Sequence, residues 1–119
     1  MNKTESSEDY LERILILQEK NGSVHSIDIA EDMNFSKASV SIAMKKLRNK
    51  NYITVDNNEC ITLTQAGLSI AAKIYERHLL LTQALVSLGV PEETAKKDAC
   101  KIEHDISEES FQAIKKHIK

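Results

Sequence analysis

The sequence predicts a mainly α-helical protein carrying one short β-hairpin. Gly and Pro number 3 and 1, and aromatic residues make up 4% of 119, a composition that suits neither a sandwich nor a barrel. Apolar residues recur at helical spacing through most of the chain. A single segment, residues 52–63, instead shows two β-rich runs around a polar turn.

Ser7-Glu8-Asp9 offers N-cap chemistry for a first helix, whose stripe is Leu11, Ile14, Leu15 and Leu17 and which stops at Asn21-Gly22. Ser26 is placed to cap a short second helix through Met33, with Ile27, Ala30 and Met33 inward. Asn34-Phe35 makes a turn. Ser36 then caps a third helix to about Asn49, buried through Val40, Ala43, Met44 and Leu47. Two short helices across a tight turn, the second basic, form a helix-turn-helix. The runs Tyr52–Val55 and Cys60–Leu63, around a four-residue turn at 56–59, follow as a hairpin. Helix-turn-helix followed directly by hairpin is the winged-helix order.

Thr64 caps a long helix carrying Leu68, Ala71, Ala72, Tyr75 and Leu79 onward to Leu88. Gly89-Val90-Pro91 ends it, and Pro91 opens another helix to about Asp105. Ser107 caps the last helix, with Glu108 and Glu109 favouring its N-terminal dipole. Two domains are expected, 1–63 and 64–119.

Net charge is −2, so overall charge predicts no polyanion partner, but the distribution is polarised. Residues 36–51 hold five basic groups (Lys37, Lys45, Lys46, Arg48, Lys50) and no acid, whereas 92–109 hold seven acids against three lysines. The third helix turns Lys37, Ala38, Ser41, Ile42 and Lys45 away from its buried stripe. Lys37, Lys45, Lys46 and Arg48 suit phosphates, Ser36, Ser39 and Ser41 suit phosphate or base edges, and Ile42 suits a thymine methyl. The same features also fit an ordinary solvated helix face with an exposed Ile.

Cys100, Glu103 and His104 fall at i, i+3 and i+4, on one face if Cys100–Ser107 is helical. Asp9 and Glu12 share a face of the first helix, and His78 lies midway along the long one. Thiol, imidazole and carboxylate together are transition-metal ligand chemistry. Taken singly each has an ordinary explanation: Asp9 as helix-start chemistry, Glu12 as a surface charge, His78 as a half-buried imidazole, Cys100 as core filler.

Beyond these local readings, five stretches, EDYLERI, SIDIAEDMNFSKASVSIAMKKL, LTQAGLSIA, YERHLLL and GVPEETAKKDACKIEHDIS, resemble the diphtheria toxin repressor and manganese transport regulator family of metal-dependent transcriptional repressors. The resemblance covers about residues 8–118. It implies a winged helix-turn-helix DNA-binding domain followed by a helical metal-binding and dimerisation domain. It also implies that Asp9, Glu12, His78, Cys100, Glu103 and His104 occupy the metal-ligand positions. The chain is a hybrid within that family. Asp9 with Glu12 matches the manganese-responsive branch, whereas Cys100 matches the iron-responsive branch. Thr82 and Lys96 stand where the iron branch places Glu and His of an ancillary site. That branch's SH3-like domain has no counterpart up to Lys119, so the architecture resembles the short manganese-type members.

The function expected is a homodimeric repressor that binds operator DNA when loaded with Fe²⁺ or Mn²⁺ and controls metal-homeostasis genes. The thiolate favours Fe²⁺ modestly, and Zn²⁺ or Co²⁺ would bind in vitro. Ile102, Ile106, Phe111, Ile114 and Ile118 are the expected dimer surface. The alternatives are a metal-independent winged-helix regulator sensing redox state through Cys100, and a winged helix used as a protein-interaction module. No oxyanion-hole signature or substrate cleft points to an enzyme. No apolar run reaches the roughly 20 residues of a membrane span and the N-terminus has no signal-peptide core, so a cytoplasmic location without membrane contact is expected.

Overall fold

The computed structural model describes residues 3–118, with side chains from Ser7 onward; residues 1, 2 and 119 of the expected domains lie outside that range. Six helices and a two-stranded sheet follow in the order α1 (Lys3–Asn21), α2 (Ser26–Met33), α3 (Lys37–Asn49), β1 (Ile53–Val55), β2 (Ile61–Leu63), α4 (Gln65–Ser87), α5 (Glu92–Ile102) and α6 (Glu108–Ile118). They form two compact units, Met1–Ala72 and Lys73–Lys119.

The N-terminal unit is the winged helix. Its α1 begins at Lys3, so Ser7 and Asp9 are interior residues and not the expected cap. The segment from Lys3 to Glu8 holds neither Gly nor Pro, so no residue type in it opposes an earlier helix start. At the other end, Gly22 takes a left-handed φ of 86° that a side chain would resist.

The N-cap of α2 is His25, one residue before Ser26, and its N–H donates to the Asp28 carboxylate at 2.8 Å. That phase buries Ile29 and Ala30 and leaves Ile27 at 42% exposure, correcting the expected inward set. Asn34, left-handed at φ 59°, turns the chain into α3. Here the expected cap is present: the Ser36 hydroxyl oxygen accepts from the Ser39 N–H at 3.1 Å.

The hairpin pairs Val55 with Ile61, so the strands are one residue shorter than their β-rich runs and the connection spans 56–60. Asp56 shapes it. Its carboxylate accepts from the N–H groups of Asn58 at 2.8 Å and Cys60 at 2.9 Å, and Glu59 takes φ 60°. Leu11, Ile14, Val24, Ile29, Val40, Leu47, Ile53, Ile61 and Ala71 build the core beneath these elements. The start of α4 packs with this unit. A Cβ on Gly67 would collide with the Tyr52 carbonyl oxygen, so only Gly permits that approach.

The C-terminal unit comprises the rest of α4 with α5 and α6. Its buried apolar residues are Ile74, Leu81, Ala95, Ala99 and Phe111. The α4 stripe is therefore offset from the expected one: Ala72 is exposed, Leu79 is 52% exposed, and Leu88 lies past the helix at 80%. The apolar residues of α4 are dense enough that several helical phases fit the sequence equally well. A left-handed Gly89 ends the helix, with Val90 N–H donating to Leu85 C=O and Gly89 N–H to Val86 C=O, each at 3.0 Å. Phe111 is buried within this unit, which removes it from the expected dimer surface, while Ile102, Ile106, Ile114 and Ile118 line an open groove with Leu81, Leu85 and Leu88.

Candidate metal centre and nucleic-acid interface

In the C-terminal unit, α5 stops at Ile102 and not near Asp105; Glu103 is its C-cap and His104 lies in the turn beyond. Glu103 keeps helical dihedrals and its ligand atom lies within 4.8 Å of that of Cys100, as the i, i+3 spacing suggested, whereas His104 departs from the helix. The turn is held by Asp105 and Ile106 N–H groups that both bond the Ile102 carbonyl at 3.0 Å.

This turn places Glu103 beside α4. Glu103 is fully buried, and its Oε1 lies 2.9 Å from His78 Nδ1. The Cys100 Sγ lies 3.9 Å from the same nitrogen. Ligand atoms of His78, Cys100 and Glu103 all fall within 4.8 Å of one another. His104 Nε2 stands 3.6 Å from the other Glu103 oxygen. A buried carboxylate costs several kcal/mol unless it is paired, so two flanking imidazoles are a strong constraint on what this site can do.

These donors fit a divalent transition ion. Metal–ligand bonds of about 2.0–2.3 Å put neighbouring donors roughly 3–4 Å apart, which is the range seen here. Imidazole and carboxylate with a thiol suit Fe²⁺, Co²⁺ or Zn²⁺ better than harder ions. Cys100 is exposed, so it is not core filler.

Asp9 and Glu12 stand on α1 in the N-terminal unit, Glu12 being only 5% exposed. With α1 starting at Lys3, helix capping no longer accounts for Asp9. Burial, with Asp9's charge adding to it, pushes the neighbouring Tyr10 phenol up from its usual range. The Tyr10 ring meets Phe35 edge-on at 6.0 Å, which ties α1 to the turn that opens α3.

The two ancillary positions carry different chemistry. The Thr82 hydroxyl donates to the His78 carbonyl at 2.7 Å, and the Lys96 ammonium lies 3.5 Å from Glu92. Neither supplies the carboxylate or imidazole of a second ion site.

On α3 the side chains of Ser36, Lys37, Ser39, Ser41, Ile42, Lys45, Lys46 and Arg48 are all exposed, opposite buried Val40, Met44 and Leu47. Ile42 is 59% exposed within this basic and hydroxylic surface. The Ser36 hydroxyl donates to Ser39 Oγ at 2.9 Å. No residue pattern signals that pair, nor Arg77, whose guanidinium reaches the Glu103 and Ile106 carbonyls.

Residues 3–59 match the model of the iron-dependent repressor N-terminal DNA-binding domain, and residues 64–119 that of the iron-dependent repressor metal-binding and dimerisation domain. A helix-turn-helix transcriptional regulator of Methanocaldococcus jannaschii is 37% identical over 114 residues, covering 94% of this chain and 91% of its own. This chain belongs to the iron-dependent repressor family. The transcriptional regulator MntR of Geobacillus kaustophilus is 38% identical to this repressor over 104 residues, 87% of the chain and 74% of the relative. A solved manganese-dependent transcriptional repressor in complex with manganese superposes with a TM-score of 0.84 at 28% identity, over 94% of this chain. The repressor spans about half, 52%, of that solved chain. Family membership makes the protein a metal-responsive transcriptional regulator and not an enzyme, and it does not favour the metal-independent redox alternative. No described helix is long and apolar enough to cross a membrane.

Proposed function

We propose that this repressor binds operator DNA as a homodimer when Asp9, Glu12, His78, Cys100, Glu103 and His104 hold Fe²⁺ or Mn²⁺, and that it controls genes of metal-ion homeostasis in the cytoplasm. The observation that carries the reading is the convergence of His78, Cys100 and the buried Glu103 within 4.8 Å. Manganese dependence in the solved relative supports Mn²⁺, whereas the Cys100 thiol favours Fe²⁺ modestly, with Zn²⁺ or Co²⁺ accepted in vitro. The hydroxyl at Thr82 and the ammonium at Lys96 speak against an ion at the ancillary position of the iron-responsive branch.

A bound ion supplies a positive charge that makes close approach of these carboxylates and the thiolate favourable. The chain supplies the linkage. Asp9 and Glu12 belong to α1, and Tyr10 on the same helix packs against Phe35 at the entrance to α3. Ordering α1 therefore selects one placement of the recognition helix from a looser ensemble. In a homodimer, α3 of each subunit enters a major groove one or more helical turns apart. Lys37, Lys45, Lys46 and Arg48 contact phosphates, Ser36, Ser39 and Ser41 lie at phosphate or base edges, and Ile42 meets a thymine methyl. The apolar groove lined by exposed Ile102 and half-buried Ile106, Ile114 and Ile118 supports self-association.

Alanine at each of the six positions tests the ligand set. Expected is a loss of metal affinity at every one, with metal-independent DNA affinity unchanged. Wild-type metal affinity in the His78 and Glu103 variants would refute it.

A further inference from the structure

The residue preceding His78 is Arg77, a buried cation with 8% exposure. Its Nη1 donates to the Glu103 carbonyl at 3.2 Å and to the Ile106 carbonyl at 2.9 Å. Its Nη2 donates to Glu108 Oε1 at 2.9 Å, and the guanidinium carbon sits 5.3 Å from the centre of the Phe111 ring. One side chain thus joins α4, the turn after α5, and the first turns of α6. The Glu103 carbonyl is one that the end of α5 leaves without an intrahelical donor, and the Ile106 carbonyl lies in the connection to α6, so Arg77 bonds both ends of the turn.

We propose that Arg77 is a positioning residue of the metal centre: it pins the Glu103–Ile106 turn to α4, so that the Glu103 carboxylate meets the His78 imidazole before any ion arrives. The inference rests on the metal reading above. The geometry is specific to arginine. Its fork serves two carbonyls and a carboxylate at once, whereas a lysine ammonium carries the same charge on a single point and cannot span them. Glu108 completes the arrangement as the counter-ion, itself bonded by Gln112 at 2.7 Å. Phe111, expected at a dimer surface, instead forms the apolar wall under this cation. Partners one step removed from a metal commonly change its affinity by about 10–100-fold when substituted, which sets the expected size.

The test is an anaerobic Co²⁺ titration of the full chain, followed by the thiolate-to-cobalt charge-transfer band and the ligand-field bands. Circular dichroism and thermal melting of the metal-free protein run in parallel. Arg77→Lys is expected to weaken Co²⁺ affinity at least about tenfold while helix content stays that of the wild type. Glu108→Gln keeps both carbonyl bonds but removes the counter-ion, and is expected to weaken affinity less, by several-fold. Unchanged Co²⁺ affinity in both variants, even with lowered melting temperatures, would make Arg77 a fold staple and overturn the assignment. If Arg77→Lys does not fold, Glu108→Gln decides alone: weakened affinity supports the proposal and wild-type affinity refutes it. A wild-type protein that shows neither the thiolate–cobalt band nor ligand-field bands on titration would instead overturn the metal reading itself.

Discussion

His78 Nδ1 and Glu103 Oε1 lie 2.9 Å apart, joining the middle of α4 to the C-cap of α5. Glu103 has no exposure to solvent, and the Cys100 sulfur stands 3.9 Å from the same imidazole nitrogen. An anion buried this completely is a poor means of stabilising a small unit. Its placement makes sense as a ligand set assembled in advance, with the thiol as the member that sets which ion fits best.

That role for the thiol is testable by Cys100→Glu. Replacing sulfur with a hard carboxylate is expected to shift the ranking of ions that switch on DNA binding toward Mn²⁺ and away from Fe²⁺. Anisotropy of labelled operator, titrated with each ion under anaerobic conditions, reads the ranking. An unchanged order would mean that Cys100 does not set metal preference.

The α3 surface separates positioning from reading. Lys45→Ala should weaken binding to all DNA sequences about equally and reduce the salt slope by about 1. Ile42→Ala should instead weaken binding selectively where it faces a thymine, by about 1–3 kcal/mol, with the salt slope intact. Binding across operators with single base changes, at several salt concentrations, distinguishes the two. Sequence-selective loss from Lys45→Ala would contradict its assignment to a phosphate.

Gly67→Ala probes the junction of the wing with α4. Because a Cβ meets the Tyr52 carbonyl oxygen, backbone has to move, and a loss of about 1–3 kcal/mol in the N-terminal unit is expected. Chemical denaturation measures it. A variant as stable as the wild type would show that the approach is looser than described.

Glu108 predicts an acid-side dependence. Its carboxyl is held below the usual glutamate range by the hydrogen bond from Gln112 first and that from Arg77 second. A carboxyl lowered on folding contributes stability that is complete above its unfolded value and is lost as pH falls through its folded value. Metal-free protein should therefore lose stability below the ordinary glutamate value of 4.5, and Glu108→Gln should flatten that part of the profile. Parallel profiles for the two proteins would contradict the pairing.

Element order was legible because its signals are local: Ser36, Thr64 and Ser107 bond the starts of α3, α4 and α6 as their residue types suggest, and Gly22 and Gly89 mark real ends. Phase was less legible. Ile27 and Ile29 are equivalent in composition, and only packing against the core buries Ile29. The end of α5 is not legible because no residue type in Cys100–Asp105 marks it; the turn is closed by the Asp105 and Ile106 N–H groups on the Ile102 carbonyl and bonded from α4 by Arg77. The i, i+3 spacing puts Cys100 and Glu103 together at the end of α5, and His78 on α4 meets them there. The ligand types could be read from the sequence, but the residue that positions them could not.

The central claim is that DNA binding depends on a divalent ion held at these residues. The most direct measurement is binding of the full chain to DNA from upstream of its own gene, titrated anaerobically with Fe²⁺ and with Mn²⁺ and then treated with chelator. The account predicts an affinity gain of at least about tenfold on loading, equivalent to about 1.4 kcal/mol of coupling, and reversal by chelator. Equal affinity with and without either ion would contradict it.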